Sequence, residues 1–147
     1  MPYLLFQLNG RPFALDATEI EAIAPLPDLS AVPLAPPHVA GLFHYHGRLV
    51  PLLDLQILAG GAPCKRVFST RIIIVRDNDE TPLGLLAEEV LDVVRHDATS
   101  DLSPRLDYQE RAWLEPTVFL SEDRLVQPIH WQALLTPQIH ALARNAS

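Results

Sequence analysis

Five prolines fall within the thirteen residues from Pro25 to Pro37, and no regular element can run through that density. Each pyrrolidine ring fixes φ and removes a backbone donor, so this segment is a loop or an extended connector. The flanking segments are short and apolar. Residues 6–15 read as two strands about Asn9-Gly10, since both residues tolerate the positive φ of a two-residue hairpin. Alternation continues over residues 19–23, with a short helical turn allowed at 16–19. Residues 41–46 and 49–55 form a hairpin-like block about Gly47-Arg48, and Gly60-Gly61-Ala62-Pro63 is the next break. Residues 70–75 are a β-branched run suited to a buried strand, followed by a turn at Asp77-Asn78-Asp79-Glu80.

Residues 83–94 carry two patterns. Leu83, Leu86, Ala87, Val90, Leu91 and Val94 fit helical spacing, whereas Gly84 and the β-rich surroundings favour a bent strand. Residues 113–120 and 124–129 make a further hairpin about Ser121-Glu122-Asp123, and Pro137 divides the helix formers after His130 into two short pieces. No strict repeat is visible. Two sets of short strands predict a mainly β protein in a double-barrel arrangement.

The 147 residues suit one domain, and 48% apolar with 20% charged residues excludes global disorder. One cysteine allows no internal disulfide and no Cys-based zinc site. Residues 1–74 carry five basic and five acidic side chains, residues 75–147 six and thirteen, so the whole charge of −7 lies in the second half. With one lysine, Lys65, and no basic stripe, nucleic acid is an unsuitable partner. The apolar start at residues 1–6 lacks a positive n-region, and no run approaches a membrane span. A cytoplasmic chain without membrane insertion is expected.

Chemistry is sparse. His44 and His46, with His38 nearby, are the nearest approach to a metal site, because alternate residues of a strand share a face. Two donors rarely suffice, and no carboxylate-rich partner motif accompanies them. Cys64 sits beside Lys65 and Arg66, which favours a thiolate, yet no histidine motif surrounds it. Ser69, Ser100, Ser103 and Ser121 lack a G-x-S-x-G setting. Glu88 and Glu89 would point to opposite faces of a strand. Gly60-Gly61 is too short for a phosphate cradle. No catalytic residue, metal or cofactor is expected.

The order of blocks resembles the CheW family of chemotaxis coupling proteins. The similarity begins with Phe6-x-Leu8, Phe13-Ala14-Leu15, Ile20-x-x-Ile23 and Pro33-x-x-Pro36-x-x-Val39-x-Gly41. Its most diagnostic stretch is Gly41-Leu42-x-x-Tyr45-x-Gly47-Arg48-x-Val50-Pro51-Leu52-Leu53-Asp54-Leu55. Ile72–Val75, Gly84-Leu85-Leu86-Ala87-Glu88-x-Val90 and Ile129-x-x-x-x-Leu134-Leu135 follow in order. Tyr45-x-Gly47 and Ser69-Thr70-Arg71 are most similar to the coupling proteins of Wsp-type surface-sensing arrays.

The resemblance implies a non-enzymatic adapter of two five-stranded SH3-like barrels with a shared hydrophobic core and short helical segments near the C-terminus. It implies one domain over 1–147, a first barrel over about 12–66, a second over 67–135, and terminal segments crossing between them. It makes residues 83–94 strand, against their periodicity. The implied partners are the cytoplasmic tip of a chemoreceptor and the regulatory domain of a CheA-type histidine kinase, met at membrane-associated arrays. The partner-binding residues expected on this basis are Ile20, Ala22, Val39, Leu42, Phe43, His44, His46, Gly47, Arg48, Leu85 and Leu86, with one of Leu85 and Leu86 facing outward.

Two positions depart from the family pattern. His46 stands where the family carries an arginine that contributes to partner binding, and Ala22 where it carries a glutamate. Guanidinium is a permanent cation with five donors, whereas imidazole is mostly neutral at pH 7. An altered partner is the expected consequence, and an interfacial His46 would make binding vary between about pH 6 and 7.5.

Overall fold

In the computed structural model, residues 1–76, 81–95 and 112–145 are described, and the fold is assembled from hairpins. The first joins β1 (Pro2–Leu8) to β2 (Arg11–Asp16). Asn9 and Gly10 take φ of 55° and 74°, the paired positive φ of a tight hairpin turn. A 3-10 turn, Ala17–Glu19, is capped by the Asp16 carboxylate and leads into β3 (Ile20–Pro25). Residues 26–38 contain no strand, only a bridge from Ser30 to Leu42.

The next hairpin is β4 (Val39–Tyr45) and β5 (Arg48–Asp54). Its turn is His46-Gly47, at φ 50° and 78°, one residue earlier than the expected Gly47-Arg48. Helix α1 (Leu55–Leu58) follows, then β6 (Arg71–Arg76), β7 (Pro82–Ala87) and β8 (Glu89–Arg95). Residues 83–94 are extended as expected, but they are two strands parted at Glu88 rather than one. Of residues 113–120, only the end belongs to a strand: β9 is Phe119–Ser121, paired with β10 (Arg124–Pro128). A 3-10 turn, Trp131–Leu134, and helix α2 (Pro137–Asn145) complete the described chain. Pro137 opens α2, where its missing N–H costs nothing. The expected turn at residues 77–80, and Ser100 and Ser103, lie outside the described residues.

The strands form two five-stranded sheets, ordered β8-β1-β2-β10-β9 and β3-β6-β7-β5-β4. The protein is mainly β, with two SH3-like barrels. Strand alternation explains how they share a core. Leu4, Phe6, Leu8 and Leu15 from the first sheet meet Leu53, Ile73, Val75, Leu83 and Leu85 from the second, with Trp113 and Trp131 in the same cluster. The alternate residues fill each barrel's own interior. Leu5, Ala14, Phe119 and Val126 pack in the first; Phe43, Val50, Leu52, Ile72, Ile74 and Leu86 pack in the second. A strand buried on both faces reads as a continuous apolar run, which is why residues 72–75 and 83–87 show no polar alternation.

Candidate partner-docking surface

The candidate surface lies where the two edges of the second sheet, β3 and β4, come together. β3 is irregular here. Ile20 pairs with Val75 and Ala22 with Ile74, so Glu21 is the extra residue of a β-bulge. A bulge re-aims side chains on either side of it. Ile20 accordingly packs against the inter-barrel core, whereas Ala22 packs against the interior of the second barrel. Both were expected among the partner-binding residues. The bulge turns them to different clusters.

Glu21 itself is exposed and accepts two hydrogen bonds. Arg76 on β6 approaches bidentately, Nε to Oε1 at 2.7 Å and Nη2 to Oε2 at 3.0 Å. Arg76 first, and then Tyr45, holds the Glu21 carboxyl below its ordinary range. The Glu21 carboxylate also raises the Tyr45 phenol, since a neighbouring negative charge disfavours its ionisation. The Tyr45 ring in turn lies edge-on to the His46 imidazole, centroids 4.2 Å apart and planes at 81°. The Phe43 ring stands 6.4 Å from that of Tyr45. The Glu21 carboxylate thus ties β3 to β6, and the Tyr45 ring on β4 packs beside the His46-Gly47 turn.

The expected site residues divide by exposure. His44, His46 and Gly47 are exposed, and Ile20, Ala22, Val39, Leu42 and Arg48 are half-buried. Phe43, Leu85 and Leu86 are core: Phe43 is 2% exposed and both leucines 0%. The expectation that one of Leu85 and Leu86 faces outward is overturned, because β7 is central and packed on both faces. The Glu21–Arg76 pair beside these residues was not anticipated from the sequence. Tyr45 appeared only as a letter of a motif, and nothing local marks a bulge at Glu21.

A family match covers nearly the whole chain. The model of the CheW-like domain matches residues 2–138. The chain belongs to the CheW-like domain family. Among curated relatives, "Chemotaxis protein CheW" of Bacillus subtilis is 24% identical over 133 residues, covering 90% of this chain and 85% of that protein. The CheW protein of Thermotoga maritima is 28% identical over 92 residues, covering 63% of this chain and 60% of the relative. The crystal structure of the scaffolding protein TtCheW from Thermoanaerobacter tengcongensis superposes with a TM-score of 0.79 at 22% identity, covering 88% of this chain and 90% of that one.

Within this CheW-like frame the remaining candidate groups have structural surroundings. His46 lies in a turn, so the strand argument that set it beside His44 does not apply. Among the described residues, no three His, Cys, Asp or Glu side chains group as a metal site. Burial lowers the His38 pKa, favouring the neutral ring. Cys64 is 4% exposed, and burial pushes its thiol up to about 11, the reverse of the thiolate that Lys65 and Arg66 suggested. None of the described helices is long and apolar enough to cross a membrane.

Proposed function

We propose that this protein is a non-enzymatic adapter of a chemosensory array, tying a chemoreceptor's cytoplasmic tip to the regulatory domain of a CheA-type histidine kinase. The observation that carries the reading is family membership over nearly the whole chain, residues 2–138, on a matching two-barrel fold. An adapter works by differential binding. A receptor change reaches the kinase only if the contacts made in its two states differ in free energy.

In this reading the docking face comprises Ile20, Ala22, Val39, Leu42, His44, His46, Gly47 and Arg48, on β3, β4 and the turn into β5. The rim is polar, and the half-buried apolar residues beneath it suit the side of a receptor helix. The protein would work in the cytoplasm beside membrane-embedded receptors. His46 and Ala22 in place of the family's arginine and glutamate favour a second reading, a divergent paralogue that binds the kinase without engaging receptors.

Calorimetric titration of the intact protein with the co-encoded kinase's regulatory domain, then with a receptor-tip fragment, separates them. Saturable binding to both is the expected outcome. Kinase binding alone supports the paralogue, and binding to neither overturns both.

A further inference from the structure

The loop that leads into β6 presents Phe68 97% exposed, with Val67 exposed beside it. An aromatic ring left in water forgoes the burial that drives folding, and the loop is not slack. Thr70, buried at its base, accepts the Val67 N–H at 3.0 Å and donates its hydroxyl to the Lys65 carbonyl. The Thr70 N–H donates to the Val67 carbonyl at 3.0 Å, and Arg71 Nη1 to the Phe68 carbonyl at 2.7 Å. The backbone is thus ordered around a ring that packs in none of the core clusters. Lys65, Arg66 and Arg71 flank that ring in the chain, and no acidic residue occurs between Asp54 and Asp77. Among the described residues, no carboxylate pairs with Lys65 or Arg66. The loop also stands clear of the docking face. Arg71 pairs with Ala87, and neighbouring Leu86 pairs with Asp54, at the far end of β5 from the His46-Gly47 turn.

The first barrel carries the complementary surface. β8 and β9 are the two edges of its sheet. Between β8 and the β9-β10 hairpin lies a cavity of about 220 Å³, its apolar wall made by Leu5, Leu91, Val94 and Val126, with Asp92 and Glu122 also lining it. A cavity of about 150 Å³ accommodates a benzene ring, so a phenyl side chain fits here. The hairpin turn is Glu122-Asp123, at φ 48° and 64°. Two acids stand where asparagine and glycine suit the backbone better. Arg124, the cation of the wall, donates Nη2 to the Gly10 carbonyl at 3.3 Å. One chain therefore bears a basic aromatic knob on one barrel and an acid-lined apolar cavity on the other. With Phe68 exposed, the two do not meet within one molecule.

We propose that the protein associates head to tail with a second copy of itself, Phe68 of one copy entering the cavity between β8 and the β9-β10 hairpin of the next. Lys65, Arg66 and Arg71 then face Asp92, Glu122 and Asp123. The contact is heterologous, so each copy keeps one free knob or cavity, and the assembly extends or closes into a ring. It uses neither His46 nor the β3–β4 face, and it stands whether or not the adapter reading holds. One ring and a few exposed ion pairs make a small interface. The contact is therefore weak in dilute solution and strengthened where copies are already held side by side.

Sedimentation equilibrium of the intact protein at ~0.05–1 mM tests the proposal, in the range where so small a contact forms. The mass should rise above that of the monomer with concentration. Phe68→Ser and Leu91→Ser, both at exposed positions, should each weaken association by about tenfold or more, with the urea midpoint unchanged. Glu122→Arg, in the turn, serves as a second cavity variant with the same expected loss. An equimolar mixture of Phe68→Ser and Leu91→Ser retains one intact knob and one intact cavity, so it should form dimers and stop there. A monomeric wild type overturns the proposal. So does association that survives Phe68→Ser or both cavity variants, or a mixture that stays monomeric. Other occupants of the loop would appear as such an outcome: a wild type that does not self-associate but binds the kinase regulatory domain, or phosphatidylglycerol vesicles, through Phe68.

Discussion

At Gly84 one methyl group would collide with the core. A Cβ there would lie 2.6 Å from Phe43 Cε1 and 3.0 Å from Leu52 Cδ1, both inside the second barrel. Gly84→Ala should cost about 1–3 kcal/mol through overpacking, seen as a lower urea midpoint with an unchanged slope. Cys64 offers a chemical check on the same interior. With its thiol pushed up to about 11, chiefly by burial and then by Asp54, it should resist Ellman's reagent at neutral pH. Denaturant should return it to an ordinary thiol of pKa about 8.5 and make it reactive. Glu21 supplies a pH signature. Its folded pKa is depressed from the ordinary 4.5, so its stabilisation is fully present above that value and fades as pH falls through the folded one. An exposed pair contributes less than about 1 kcal/mol. Glu21→Gln should therefore be slightly less stable than wild type at neutral pH and converge with it in acid.

Helix α1 shows how an element too short to stand alone is retained. Four residues cannot offset their own nucleation, and the Asp54 carboxylate organises them. Oδ1 accepts the Gln56 N–H at 3.1 Å, and Oδ2 accepts the Cys64 N–H at 2.9 Å. Gln56 extends the connection to the other barrel, its Oε1 accepting the Asn9 N–H at 3.0 Å and its Nε2 donating to the Ala62 carbonyl at 3.2 Å. Asp54→Ala removes a cap and leaves a buried N–H unpaired, at about 2–4 kcal/mol. Chemical denaturation would measure it, and a loss below about 0.5 kcal/mol would contradict the assignment. Elements of this kind differ in how far the sequence announces them. Asn9-Gly10 and His46-Gly47 carry glycine where a positive φ is needed, so both hairpins were legible, the second to within one residue. The split of residues 83–94 at Glu88 was not. A continuous apolar run looks the same whether one strand crosses one core or two strands serve two.

Across the whole molecule, the shared core couples the barrels. Leu4, Phe6, Leu8 and Leu15 bury one face against Leu53, Ile73, Val75, Leu83 and Leu85, so neither barrel can unfold without exposing the other. Glu19 adds a polar link, accepting from Trp131 Nε1 at 3.3 Å and from Gln132 Nε2. Urea unfolding followed by Trp113 and Trp131 fluorescence should give the same midpoint as unfolding followed by Cys64 reactivity. Separate midpoints would mean that the barrels unfold independently.

From the residues alone came the mainly β character, the proline connector, the hairpin turns and the family resemblance. Each depends on local backbone preference or on the order of short motifs. Tertiary structure decided the rest. It paired β1 with β8, and it set β5 beside β7 and β2 beside β10 in parallel. It also drew Leu85 and Leu86 into separate cores and raised Glu21 on a bulge beside Arg76. Local sequence states which residues favour an extended chain. Which strand lies beside which follows from burying both faces of each strand at once, and that requirement exists only when distant segments meet.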